Sequence, residues 1–102
     1  MAQKGRGIFM VYVDIDPQHV QEFNEWYNKE HLPELLSVPG ILSASRYEAV
    51  KGGPKYLAVY ELESPEVLTS AAWDKAIEDG RWPSQVRPHT KNRRHVLLKL
   101  MD

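Results

Sequence analysis

Residues 8–15 (IFMVYVDI) constrain the chain more than any other stretch. They are β-branched and aromatic, and they read as a strand. Phe9, Val11, Val13 and Ile15 take one face; Ile8, Met10 and Tyr12 take the other. A strand that is apolar on both sides must be covered on both sides. The rest of the chain therefore has to supply two layers against this strand, or one layer and a partner.

The next segment supplies one layer. Asp16 is positioned to cap the free amides of a first helical turn, and Pro17 suits the first helical position. At about 100° per residue, Val20, Phe23, Tyr27 and His31 form one stripe, flanked by Trp26. Polar residues occupy the remainder. Pro33 disfavours helix at Leu32, so the helix is expected to run from about Pro17 to Leu32 and to end or kink there. Leu35, Leu36 and Val38 are expected to pack in a short continuation before Pro39-Gly40 turns the chain.

A second strand is expected over 41–50, with Ile41, Ser43, Ser45, Tyr47 and Ala49 on one face and Leu42, Ala44, Arg46, Glu48 and Val50 on the other. Residues 51–55 (KGGPK) form a hairpin loop, and 56–63 a third strand whose faces are Tyr56, Ala58, Tyr60, Leu62 and Leu57, Val59, Glu61. Ser64-Pro65 repeats the capping logic of Asp16-Pro17 and opens a second helix. Its stripe is Leu68, Ala72, Trp73, Ala76 and Ile77, with Gly80 as its stop. A loop follows over 81–92, and a last strand over 93–101 alternates Val96, Leu98 and Leu100 against His95, Leu97, Lys99 and Met101. The order β-α-β-β-α-β is the split βαβ of a ferredoxin-like α+β sandwich, and residues 1–102 suffice for one such domain. Two helices cover one face of four strands. The other face, apolar along strand one, would be an unusually large exposed patch, so a second copy is expected to cover it and make a homodimer.

Composition narrows the function. The chain has no cysteine, which removes disulfides, thiolate nucleophiles and thiolate metal sites and suits the cytoplasm. The net charge of −1 gives no global attraction to nucleic acid or to an anionic membrane, and residues 8–13 are too short to span a bilayer. No glycine pattern cradles a phosphate, and His19, His31, His89 and His95 have no metal-ligand spacing. No cofactor and no metal are expected. Arg81, Arg87, Lys91, Arg93 and Arg94 form a basic segment with Trp82, His89 and His95. It reads as a solvated loop or a strap at a dimer edge, with a site for an anionic ligand as the alternative, and nucleic acid is disfavoured because the aromatic run of the RNA-recognition module is missing.

His31 is the candidate catalytic base. A helix C-terminus would favour its charged form and burial its neutral form, and the sequence leaves the two in competition. The strand tyrosines Tyr12, Tyr47, Tyr56 and Tyr60 are candidate hydrogen-bond donors to a developing oxyanion, with Tyr60 and Tyr47, at mid-strand, preferred. Tyr12, Phe23, Trp26, Tyr27 and Trp73 are candidate walls for a flat apolar or aromatic ligand. The bland alternatives stand beside these: strand tyrosines commonly pack with solvated hydroxyls, and aromatics at helical spacing are commonly plain core. Arg46 either binds a substrate carboxylate or pairs with Glu48 or Glu61 at the surface, and the surface pair is the expectation.

The pattern Phe23-x-x-Trp26-Tyr27-x-x-Glu30-His31-Leu32-Pro33, followed by Val38-Pro39-Gly40-Ile41 and a strand bearing Arg46-Tyr47, resembles the EthD-like proteins of the dimeric α/β-barrel superfamily. The His-Leu-Pro end of helix one is its most specific part, and the element order extends the resemblance over nearly the whole chain. It implies a homodimer with a small apolar cleft between the sheet and helix one. Relatives include small polyketide cyclases, cofactor-free monooxygenases and muconolactone isomerase-like enzymes, so no single reaction is implied. Haem binding occurs in some dimeric barrels, but one histidine is all that speaks for it here. The combined expectation is a cofactor-independent acid/base enzyme acting on a small apolar or aromatic molecule, with a non-catalytic binding dimer as the alternative.

Overall fold

The computed structural model describes residues 6–78 and 87–101, with backbone alone for Glu78 and Arg87. Strand β1 is Gly7–Ile15. A helical run follows, made of a 3-10 turn Pro17–His19, helix α1 Val20–Trp26, a π segment Tyr27–His31 and helix α2 Leu32–Leu36. Strands β2 (Ile41–Glu48) and β3 (Tyr56–Leu62) form a hairpin. A 3-10 turn Pro65–Thr69, helix α3 (Ala71–Glu78), a 3-10 turn Arg87–His89 and strand β4 (Thr90–Lys99) complete the described chain.

The sheet order is β2-β3-β1-β4, and every neighbouring pair is antiparallel. β1 and β2 therefore run parallel with β3 between them, which is the expected ferredoxin-like α+β topology. Phe9 lies opposite Tyr60 and Leu97, Val11 opposite Ala58 and His95, and Val13 opposite Tyr56. These residues make the face that the helices cover. Against it pack Phe23, Trp26, Tyr27, Leu35, Trp73 and Ala76, all buried. Ile8, Met10, Tyr12, Val59 and Val96 alternate onto the opposite face, where no described element covers them.

Several local expectations give way, each for an identifiable reason. Pro33 does not end the helix. It sits in the first turn of α2, and the preceding turn widens so that the Leu32 N–H donates to the Tyr27 carbonyl, five residues back. A proline ring collides with the carbonyl four residues before it and brings no N–H, and a π turn accommodates both. The Asp16 carboxylate does not cap the first turn; it faces Lys91 Nζ at 3.5 Å and His89 Nδ1 at 4.0 Å. Ser64-Pro65 opens only a 3-10 turn, and α3 starts at Ala71 with Ser70 as its cap, since Ser70 Oγ accepts from the Trp73 N–H at 3.1 Å. Ala72 is exposed rather than part of the buried stripe. Strand β4 begins at Thr90, inside the expected loop, since Thr90 and Lys91 pair with Ile15 and Asp14; at the register shift that follows, Asn92 takes a left-handed φ of 56° and its side-chain amide donates to Asp14 Oδ2 at 2.8 Å. Asn is one of the residues that tolerates this conformation. Gly80, Arg81 and Trp82 lie outside the described residues.

The most consequential departure is in β2. Ile41 pairs with Leu62, but Ser43 pairs with the very next residue of β3, Glu61. Leu42 is thus a bulge. Beyond it the alternation assumed from Ile41 is inverted: Ala44 and Arg46 turn toward the helices, and Ser45 and Tyr47 turn away.

Candidate functional site

Between the covered face of the sheet, the helical run and α3 lies a cavity of about 300 Å³. Its lining is mostly apolar and aromatic, drawn from β1 (Phe9, Val11, Val13), the helical run (Phe23, Tyr27, Leu35), β3 (Tyr56, Ala58, Tyr60) and α3 (Trp73, Ile77). Its polar groups are His31, the tyrosine hydroxyls, Arg46, Arg93 and His95.

The π segment delivers His31 to this cavity. Phe23, Tyr27, His31 and Leu35 recur every four residues, and a regular α-helix would rotate each about 40° past the last. The wider turn over Tyr27–His31 absorbs that drift, so all four line one wall. The imidazole is 9% exposed. It stacks on Trp26 with ring centroids 4.4 Å apart and planes at 20°, and it meets the Tyr27 ring edge-on at 4.9 Å. Burial pushes its pKa down to about 4. Because the chain stays helical to Leu36, His31 is not at an open C-terminus, and burial decides in favour of the neutral ring.

Tyr27 and Tyr60 share a buried hydroxyl–hydroxyl hydrogen bond. Burial raises the Tyr27 phenol to about 12, against smaller opposing effects of the Tyr60 bond and the Arg46 charge. Burial also holds Tyr60 well above the usual phenol range, reinforced by Tyr27. Both phenols are neutral donors at neutral pH. One of the two O–H groups is used within the pair, which leaves the other able to donate to a ligand oxygen.

Arg46 is the polar residue that sequence reasoning misplaced. It turns inward because of the Leu42 bulge, and it does not pair at the surface. Glu48 instead lies 3.4 Å from Lys55 Nζ, and Glu61 accepts from Ser43 Oγ at 2.6 Å and faces Arg6. The guanidinium sits over the Tyr27 ring at 4.6 Å and the Phe23 ring at 5.3 Å. Nη1 donates to Asn28 Oδ1 at 3.1 Å and Nη2 to Asn24 Oδ1 at 2.7 Å.

The eight candidate residues fare unequally. His31, Tyr60, Tyr27, Phe23 and Trp73 all meet at the cavity. Trp26 is buried behind His31 and supports it without lining the space. Tyr47 is 57% exposed on the far face, sent there by the bulge, and cannot reach His31. Tyr12 lies on that same far face, opposite Leu57 and Arg94, because its parity in β1 is opposite to that of Phe9. Tyr56, offered by the sequence as a possible donor though not a preferred one, also lines the cavity, and Phe9 and His95 join the site unassigned by sequence reasoning. Phe9 stands edge-on to Trp73 at 5.5 Å and lies 5.7 Å from His95. Phe9 shares parity with Val11, and that was the available signal. His95 needed the register of β4, which no sequence pattern displays. Among the described residues, no three His, Asp or Glu side chains converge as a metal site, and no helix is long and apolar enough to cross a membrane.

Solved structures share this fold. The haem-degrading protein MhuD of Mycobacterium tuberculosis, solved with two haems in its active site, superposes with a TM-score of 0.71 at 18% identity, over 94% of this chain and 97% of that one. An EthD-family protein of Bacillus halodurans gives 0.64 at 16% identity, over 94% and 98%. A Bordetella bronchiseptica protein, provisionally named an antibiotic biosynthesis monooxygenase, gives 0.70 at 10% identity, over 97% and 100%. At these identities the likeness carries the fold, which is the one that the EthD-like resemblance implied. No curated protein matches the sequence. A family model does match, over residues 6–78, and the chain belongs to that family, described as a domain of unknown function, DUF4286.

Proposed function

We propose that the protein binds a small apolar or aromatic molecule in this cavity and acts on it as a cofactor-independent acid/base enzyme. The observation that carries the reading is the convergence of His31, Tyr27 and Tyr60 on an otherwise apolar enclosure. The neutral imidazole accepts a proton from the substrate, and the spare O–H of the phenol pair donates to the oxygen on which negative charge develops. Exclusion of water strengthens both interactions. Such a pair suits cyclisation, isomerisation, elimination or oxygenation of an electron-rich substrate. The names of the haem-degrading and monooxygenase neighbours keep oxygenation in that set. A haem itself does not fit here. The cavity is at the lower end of the usual range for small-ligand pockets, and His31 is closed in by Trp26 and Tyr27.

The working unit is a homodimer in the cytoplasm. Ile8 and Leu98 on the uncovered face are 37% and 43% exposed, beside Met10, Tyr12, Val59 and Val96. A second copy of the same face is the self-complementary cover for such a patch.

A panel of small aromatic and polyketide-like compounds, titrated while the His31 ring signals are followed by NMR, tests the enzyme reading. A substrate should shift those signals and move the His31 pKa. His31→Ala should lower turnover by about 100-fold or more while leaving affinity within about threefold. Binding that leaves His31 unperturbed, or turnover that survives the substitution, overturns catalysis. The second reading, a non-catalytic binding protein, then stands. One observation already favours it: an imidazole at about 4 is a weak base at neutral pH.

A further inference from the structure

The cavity carries a charge imbalance that the acid/base reading does not use. Among the described lining residues two are cationic, Arg46 and Arg93, and none is Asp or Glu. The chain as a whole is close to neutral, so the imbalance is local. Arg93 is exposed and stands at the rim, while Arg46 is half-buried in the wall.

Arg46 meets only uncharged groups among the described residues. Its hydrogen bonds go to the amide oxygens of Asn24 and Asn28, and its face lies on Tyr27 and Phe23. Asn24 and Asn28, one helical turn apart, orient the guanidinium without neutralising it. They use two of its five N–H groups and leave three. Guanidinium remains charged at any ordinary pH, and a charge withdrawn from water is normally paired. An oriented cation with spare in-plane donors, seated on aromatic faces beside an apolar space, is an incomplete carboxylate clamp.

We propose that the molecule this cavity takes is an apolar or aromatic carboxylate, its carboxylate held by Arg46 with Arg93 at the rim and its apolar body lying between Phe9, Tyr60 and Trp73. The inference rests on the reading of the cavity as a ligand site and adds the chemical class of the ligand. Anchoring the carboxylate at Arg46 places the apolar body against the His31 and phenol groups, so the same contact gives both affinity and orientation.

The test uses two matched probes, naphthoate and its uncharged isostere naphthamide. Affinities are measured by amide chemical-shift titration of the full chain at neutral pH and low salt. Naphthoate should bind about tenfold more tightly or better, the usual scale for a charge-assisted hydrogen bond. Arg46→Gln should abolish that preference, Arg46→Lys should retain part of it, and Arg93→Gln should reduce it less than Arg46→Gln does. Native-like dispersion of the Arg46→Gln amide spectrum, with shift changes confined to the neighbourhood of position 46, serves as the check that the fold and the cavity survive. If both probes bind the native protein equally, or the preference persists in Arg46→Gln, the carboxylate inference is overturned and the cavity reading stands. If neither probe binds up to millimolar concentration, the cavity reading fails and the carboxylate site fails with it.

Discussion

His31 sits where two opposing influences on a histidine could be weighed, and the structure shows which prevails. Its pKa of about 4, against the ordinary 6.5, means that the unfolded chain holds a proton in the interval between them that the folded chain lacks. Stability therefore rises with pH through that interval. The neutral imidazole's contribution is complete above 6.5 and is lost as the pH falls toward 4, with a full depth on the order of 3 kcal/mol. Urea midpoints taken from pH 4 to 7 should show this slope. His31→Phe, which keeps a ring on Trp26, should flatten it, and parallel curves for the two proteins would contradict the burial argument. The inward direction of His31 was legible from its spacing to Phe23 and Tyr27. Its protonation state was not, because that depended on whether the helix continued past Pro33.

At the scale of elements, periodicity located every strand, yet it misassigned the two residues of β2 that matter most. Alternation counts residues, and a bulge adds one without marking it. Leu42 is a leucine in a β-rich run, although it is 46% exposed. Arg46 and Tyr47 exchanged faces for that reason alone. The π segment left a clearer trace, since inward residues at 23, 27, 31 and 35 repeat every four positions, too long a period for one face of an α-helix. The bulge predicts an asymmetry between deletions. Removing Leu42 leaves Ile41 inward, Ser43 outward and Arg46 inward, so the fold and the site should persist with a loss of no more than about 2 kcal/mol. Removing Ser45 inverts every later residue of β2, exposes the Arg46 position to the wrong face and should prevent cooperative folding. Thermal unfolding of the two deletion variants measures the difference, and equal behaviour would contradict the observed register.

For the whole molecule, the β-α-β-β-α-β order could be read from the chain, and with it came the expectation that one sheet face would lack cover. The structure leaves that face bare among the described residues. Val59, on the central strand β3 and opposite Met10, is the place to test it. Wild-type protein at tens of micromolar should sediment as a dimer of the 11.8 kDa chain. Val59→Lys should sediment as a monomer, because burying an ammonium against an apolar face is strongly unfavourable. A monomeric wild-type chain would overturn the dimer. What the sequence could not supply at this scale was the cavity, since its volume is what remains after all four strands, the helical run and α3 have taken their places.

The stacking of Trp26 on His31 has a practical corollary. Protonated imidazole is a quencher of indole emission, and Trp26 is in face contact with the one buried imidazole. Trp73, by contrast, borders the cavity and senses what fills it. The chain thus carries one tryptophan against its candidate base and another against its candidate ligand, so protonation and occupancy act on different emitters of the unlabelled protein.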